Sequence, residues 1–365
     1  MKKFSLMACL AFATAGGEDL SEVGPTERKP ENQKTYGKSS SVYFDRSSVP
    51  NVLRVNADNP RYFTDNSGKA ILLTGSHIWY NIQDQSGRPP LNFGNYLAWM
   101  ISQGHNFIRL WQMDEPWTTL IDSTGEGEMN PLPFARVPGH GGAVGGGLKF
   151  DLSQYDKDYF QRLRANVITA GSKGVYCSVM LFNGWWAEGR PQNFSTSHHN
   201  PANNVNGLSM AVSDVYTMNN SAWVALMDAY ADKVVDTVGD LDNVLYEISN
   251  ETPYSSKTWQ YHMIDHIHAY ELTKPKRHPV GMTSFAATTG GYATNADLYA
   301  SNAEWVSIFG GIGTNYTTDV IAAPATKVEI LDTDHVWGID PPGDDSAWVW
   351  RSLTRGHNPI YMDPL

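Results

Sequence analysis

The run Asn243-Val244-Leu245-Tyr246-Glu247-Ile248-Ser249-Asn250-Glu251 is apolar and strand-like until it stops on an amide and a carboxylate, and Thr252-Pro253 turns the chain at once. An ionised carboxylate without a partner is expensive to bury, so this strand end is poor core material. It suits a group that gives or takes a proton. Lys327 to Leu331 repeats the pattern and is followed by Asp332-Thr333-Asp334-His335-Val336-Trp337-Gly338. Two carboxyl groups facing each other across a cleft can share one reaction. One protonates a leaving oxygen and the other attacks the carbon or activates a water, which is what cleavage of a glycosidic bond requires. Trp and Tyr rings would supply apolar platforms for sugar faces.

Such groups must be held by a frame, and the chain supplies one. Arg61 to Leu73 reads as a hairpin turning at Asp65-Asn66-Ser67-Gly68. Strand-like runs follow at Ala70 to Tyr80, His105 to Trp111, Gly174 to Phe182, Asn243 to Asn250, His278 to Phe285, Trp305 to Gly310, Lys327 to Leu331 and Pro359 to Met362. Helical spacing lies between them at Phe93 to Gln103, Asp156 to Gly171, Ser221 to Val238, Ser256 to Leu272 and Ser346 to Arg355, with shorter helical pieces at Ala296 to Ala300 and Thr318 to Ala323. Gly104 marks a helix end. This alternation predicts an α/β fold, a (β/α)8 TIM barrel. The chain stops almost as soon as the last strand ends, so the expected barrel lacks its last helix. No Gly-x-Gly-x-x-Gly follows the first strand, which argues against a dinucleotide fold. Gln112 to Gln154 reads as one long irregular loop beside the site. Its glycine run, His140 to Gly147, is no phosphate loop, because no Lys-Ser or Lys-Thr follows.

Active groups of such a barrel stand at the carboxyl ends of the strands. Reading those ends in order gives His77 and Trp79, then Arg109 and Trp111, then Asn183, Trp185 and Trp186, then Asn250 and Glu251, then Asp332, Asp334, His335 and Trp337, and finally Asp363. Acidic groups on the fourth and seventh strands, an Arg on the second and Trp on several others are hard to explain as packing.

Tyr246-Glu247-Ile248-Ser249-Asn250-Glu251 resembles the strand-four motif of the clan A glycoside hydrolases, the cellulase-like (β/α)8 enzymes, and Asn106-Phe107-Ile108-Arg109-Leu110 resembles that clan's strand-two segment. The resemblance runs from about Val52 to Leu365. Asp332 to Gly338, with His357-Asn358-Pro359-Ile360-Tyr361-Met362-Asp363-Pro364, resembles the DUF4038-type, collagen-binding-associated branch. The resemblance implies that Glu251 is the acid/base, that Asn250 contacts a sugar 2-hydroxyl, that Arg109 lies near the nucleophile, and that the reaction retains configuration at β-glycosidic bonds of a polysaccharide or oligosaccharide. The clan's strand-seven nucleophile is normally Glu. Glu329 sits at mid-strand, too early, whereas Asp332 directly follows Ile330-Leu331, where the clan's Glu lies. Asp332 is therefore favoured and Asp334 is second. By alternation Glu247 shares the face of Glu251 one layer deeper, and Arg109 is its natural ion-pair partner.

His77, Trp79, Trp111, Asn183, Trp185, Trp186, His335 and Trp337 are then expected to bind or orient the sugar, with no cofactor and no metal. Two rivals remain: a non-catalytic carbohydrate-binding barrel, and a metal-dependent hydrolase using Asp332, Asp334, His335 and His77. The adjacent His198 and His199 read as solvated loop residues. The net charge of −11 argues against nucleic acid or an anionic membrane as partner, and 12 Trp and 18 Tyr suit a carbohydrate ligand. Lys2-Lys3, the apolar run Phe4 to Phe12 and Ala13-Thr14-Ala15 have the form of a signal peptide over residues 1–15. Residues 16–50 read as a polar linker and 51–365 as the catalytic barrel, in a secreted or periplasmic protein. Cys9 lies in the signal, which leaves Cys177 as a buried small hydrophobe.

Overall fold

The structure, a computed structural model, describes residues 51–119, 126–184, 191–283, 295–308, 322–332 and 345–362. All of them belong to the unit Asp45–Leu365. The expected signal and linker and residues 318–321 of the expected helical turn lie outside the described residues, and Ala322 and Ala323, which are described, are not helical. The barrel strands are β1 (Gly75–His77), β2 (Phe107–Leu110), β3 (Tyr176–Asn183), β4 (Val244–Asn250), β5 (Val280–Thr283), β6 (Trp305–Ser307), β7 (Val328–Asp332) and β8 (Asn358–Met362). Every neighbouring pair is parallel and the sheet closes on itself, β2 pairing with β3 and β8 with β1. The fold is a (β/α)8 barrel, and each expected strand run holds one of its strands.

Between the strands lie α1 (Phe93–Ser102), α2 (Lys157–Gly171), α3 (Ser221–Val238), α4 (Lys257–Glu271), α5 (Asn295–Ala300) and α6 (Asp345–Thr354). Side-chain caps open α1, α2 and α3. Asp156 accepts from the backbone N–H groups of Asp158 and Tyr159 at 2.8 and 3.2 Å, and Asn220 from that of Trp223 at 3.3 Å. On α3 the buried stripe Trp223, Met227, Tyr230, Ala231, Val234 and Val238 turns toward the sheet at helical spacing. No helix among the described residues is long and apolar enough to cross a membrane.

The barrel floor is apolar. Phe107, Tyr176, Leu245, Trp305 and Val328, each the first or second residue of its strand, pack with Ile330, Ile360 and with Leu53, Phe63 and Leu73 from the amino-terminal hairpin. Arg54–Val55 pairs antiparallel with Phe63–Thr64 ahead of the expected hairpin, whose own arms meet at a single bridge, Phe63 to Ile71. Its turn is the expected one, with Ser67 N–H donating to Asp65 Oδ1 at 2.7 Å. Gly281 on β5 stands opposite Trp305, and a Cβ at that glycine would collide with the indole. The wide ring thus fits inside the barrel only because residue 281 has no side chain.

The expected irregular loop over Gln112 to Gln154 is corrected. Trp117–Thr119 pairs antiparallel with Glu126–Asn130, which also pairs with Asp84–Gln85, and Phe134–Gly142 pairs with Leu148–Tyr155. The glycine run is the tip of that last hairpin, where Gly141, Gly145, Gly146 and Gly147 take positive φ. The tip is exposed, so it carries none of the apolar alternation from which strands are read.

Candidate active site

Arg109 joins the strand ends. Alternation on β2 places Phe107 in the floor and Arg109 one layer above it, fully surrounded. Its Nε donates to Glu247 Oε2 and Oε1 at 2.8 and 3.0 Å. Nη2 donates to Glu247 Oε1 as well, and to Asn250 Oδ1 at 2.8 Å. Nη1 reaches Asp332 Oδ2 at 3.1 Å. The guanidinium fork therefore ties β4 to β7 through directed, charge-assisted bonds. His77 Nε2 meets the same Asp332 oxygen at 2.9 Å; an ionised carboxylate only accepts, so Nε2 carries the proton. Ser178 Oγ donates to Glu247 Oε2 at 3.3 Å. Glu247 thus stands where the sequence placed it, a deep partner of Arg109.

Aromatic rings cover this cluster. His77 stacks on Trp111 with centroids 5.4 Å apart and planes 11° apart. The Arg109 guanidinium carbon lies 4.5 Å from the Trp111 ring centre, within cation–π range. Trp79 lies half-buried with its centroid 6.2 Å from Trp111. Asp332 is the last residue of β7 and is buried, with Ile330 below it in the floor. Glu329 points the other way. Its Oε1 accepts from Tyr299 Oη of α5 at 2.8 Å, and His357 Nδ1 lies 2.9 Å from Oε2. Asp334, His335, Trp337, Trp185, Trp186 and Asp363 lie outside the described residues.

The simple alternation from Glu247 to Glu251 is corrected. Ser249 should face inward by that rule, yet its hydroxyl pairs with Thr252 Oγ1 at 3.1 Å, which in turn accepts from Gln260 of α4 at 2.7 Å. Its register partner on β3, Phe182, packs on Trp259 and Tyr230 of α4 and α3. Both strands turn this layer toward the helices together. Asn250, paired with Asn183, then reaches inward to Arg109. Glu251 follows at φ +45°, half-buried. A left-handed non-glycine residue costs about 1 to 3 kcal/mol and tends to mark functional sites. Tyr80, just past β1, and Tyr216 share that conformation at φ 61° and 59°. The ends of β3 and β4 are held close: Gly184 N–H donates to Asn250 O at 2.7 Å, and a Cβ on Gly184 would strike Thr252.

A second polar group was missed from sequence because the reading of β2 stopped at Trp111. Asp114 accepts from Asn183 N–H at 3.1 Å, from Tyr216 Oη and from Gln112 Nε2. Burial raises its carboxyl from 3.8 to about 6, against the pull of those three donors. The run Gln112-Met113-Asp114-Glu115 was the available signal. Asp114 borders a cavity of about 20 Å³ that His198 and His199 also line. The expectation that these histidines are solvated is corrected. Both are buried, stacked 4.2 Å apart, with His199 4.8 Å from Trp223. Burial lowers His198 to about 4 and takes His199 well below its ordinary value, with His198 adding to the effect. The cause is tertiary: the long hairpin pins the segment over them, with Phe150 N–H donating to Asn203 O at 2.8 Å and Val205 N–H to Phe150 O at 2.9 Å.

No protein-family model matches the chain, and no curated protein sequence matches it. Solved structures do share its fold. A glycoside hydrolase family 5 structure from Bacteroides vulgatus ATCC 8482 superposes with a TM-score of 0.53 at 14% identity, over 87% of this chain and 64% of that one. The endo-1,4-beta-mannanase from Rhizomucor miehei gives 0.55 at 14% identity, over 85% and 90%. Endo-glycoceramidase II from Rhodococcus sp., solved as a lactosyl-enzyme intermediate, gives 0.51 at 14% identity, over 83% and 75%. This chain thus spans less than two thirds of the length of the first of these, and the likeness establishes the barrel fold.

Proposed function

We propose that this chain is an exported glycoside hydrolase that cleaves β-glycosidic bonds of a polysaccharide or oligosaccharide and retains anomeric configuration. The observation that carries this reading is the Arg109 fork, which binds the Asn250 end of β4 and Asp332 of β7 to one guanidinium at the carboxyl end of a barrel. In the first step Glu251 protonates the leaving oxygen while Asp332 attacks the anomeric carbon. In the second, Glu251 takes a proton from water, and the water's oxygen displaces Asp332. Arg109 and His77 aim Asp332, Asn250 meets the sugar, and Trp79 and Trp111 form the platform. The barrel shared with a mannanase and a lactosyl-bound glycoceramidase, and the clan A resemblance with its DUF4038-type carboxyl-terminal motif, favour carbohydrate over other esters or amides. Residues 1–15 serve as the signal and 16–50 as a linker.

The test uses parent and Glu251→Gln on a panel of polysaccharides and on aryl β-glycosides. The variant should lose about 10²- to 10⁴-fold on substrates with poor leaving groups and keep more of its first step on activated aryl glycosides. Equal rates on a polysaccharide would remove Glu251 from the acid/base role. Sugar binding by the parent without turnover would leave a carbohydrate-binding barrel in place of an enzyme.

A further inference from the structure

Helix α4 carries His262 and His266 one turn apart, and α3 carries Asp228 and Asp232 at the same spacing. Residues so placed share one helix face, and here the two faces meet. His262 Nε2 lies 2.9 and 3.1 Å from the two oxygens of Asp228. His266 Nε2 lies 2.8 Å from Asp232 Oδ1, while its Nδ1 stands 3.8 Å from Asp228 Oδ1. The side chains are 20 to 33% exposed, open enough for an ion to enter from water.

The orientation of His266 is the informative part. Asp232 can only accept, so Nε2 carries the proton. His266 Nδ1 and the Asp228 oxygen, 3.8 Å apart, are too far for a hydrogen bond yet face one gap. A cation between them satisfies both. A carboxylate behind the far nitrogen of an imidazole is also the arrangement that fixes the tautomer of a metal-ligating histidine and raises its basicity. Asp228, His262 and His266 each present one donor atom, and these atoms lie within 4.8 Å of one another. A tetrahedral ion with bonds of about 2.0–2.1 Å needs donors roughly 3.3 Å apart, a closure of up to about 1.5 Å for these partly buried side chains.

We propose that Asp228, His262 and His266 bind a divalent transition-metal ion of the Zn²⁺ class, with Asp232 as the positioning residue for His266 and water completing the shell. Two imidazoles and one carboxylate are ligands of that class rather than of Mg²⁺ or Ca²⁺. The ion clamps α3 to α4, the helices on which Phe182 packs. Its role is to brace the barrel wall, and it takes no part in the chemistry at Glu251 and Asp332.

Tag-free full-length chain, stripped with EDTA and dialysed, is titrated with Zn²⁺ by calorimetry and by thermal unfolding. About one ion should bind per chain, and Tm should rise about 4 °C at a hundredfold excess of free Zn²⁺ over Kd. Mg²⁺ should do neither. His262→Ala and His266→Ala should each abolish saturable binding, and Asp232→Asn should weaken it about tenfold. His268→Ala, which removes the separate His268–Glu304 contact of α4, should leave binding intact. Co²⁺ added to the unaltered protein should give the visible spectrum of a tetrahedral site, a readout that needs no variant. No saturable binding, a featureless Co²⁺ spectrum, or binding untouched by His266→Ala would each overturn the site.

Discussion

Strand β7 sends Val328 and Ile330 into an apolar floor and, one step further, Asp332 into a cluster with Arg109 and His77. Strand β2 does the same with Phe107 and Arg109, and β4 with Leu245 and Glu247. Over about 6.6 Å of rise the barrel interior changes from dry hydrocarbon to three buried charges. In the floor, each side chain adds burial at about 25 cal/mol per Å². In the layer above, each ion costs several kcal/mol to desolvate, which its partners must offset. Apolar residues of similar volume there would often be neutral or stabilising. Left-handed backbone occurs at Tyr80, Tyr216 and Glu251, and also at Ala325 just before the amino end of β7, so it is not confined to the upper level. Stability accounts for the floor. On the proposed function, the charged layer is held for the groups it aims, with Glu251 directly after β4.

Substitutions at the two levels should break in different ways. Arg109→Met strands Glu247 and Asp332 without their cation, so it should cost about 3–5 kcal/mol by chemical denaturation and remove turnover. An unchanged denaturation midpoint would end the contrast, because the upper layer would then be no more demanding than the floor. Asp114 gives a graded test by pH. Its folded pKa, about 6, lies above 3.8, so its stabilising effect is full below pH 3.8 and is lost as pH rises through about 6, up to roughly 3 kcal/mol in all. Asp114→Asn cannot titrate. The parent's stability should therefore fall relative to the variant's between pH 4 and 6 and the difference be level above; a flat difference across that window would mean that the donors from Tyr216, Gln112 and Asn183 fully offset burial. The smallest effect belongs to the floor. Ile330→Val should cost about 0.5–1.5 kcal/mol with kcat unchanged, and a large fall in kcat would show that the two levels are not separable.

The sequence carried the parts of this molecule that follow local rules. Gly104 ends α1, Asp156 begins α2, and β2 alternates from Phe107 through Arg109 to Trp111 as its spacing indicates. The Glu247–Arg109 pair was legible for the same reason: one buried anion on β4 requires a cation, and β2 has one at the same height. What was not legible depends on neighbours. Ser249 and Phe182 turn outward together, a shift shared by two strands that neither sequence run displays alone. His198 and His199 are buried by a hairpin whose glycine-rich tip concealed its strands. Asp114 follows β2 by several residues, and bonds from Asn183 at the end of β3 and from Tyr216 beyond it make it part of the strand-end network.

The central claim is that Asp332, aimed by Arg109 and His77, is the nucleophile. The most direct measurement is covalent trapping with a 2-deoxy-2-fluoro-β-glycoside of a sugar the protein turns over, followed by peptide mapping in a mass spectrometer. The account predicts about one glycosyl group per chain, attached to the Asp332 carboxylate and absent from Asp332→Asn. A glycosyl group on Asp334 would contradict the assignment, and a first-formed product of inverted configuration with no trapped adduct would contradict the two-step mechanism itself.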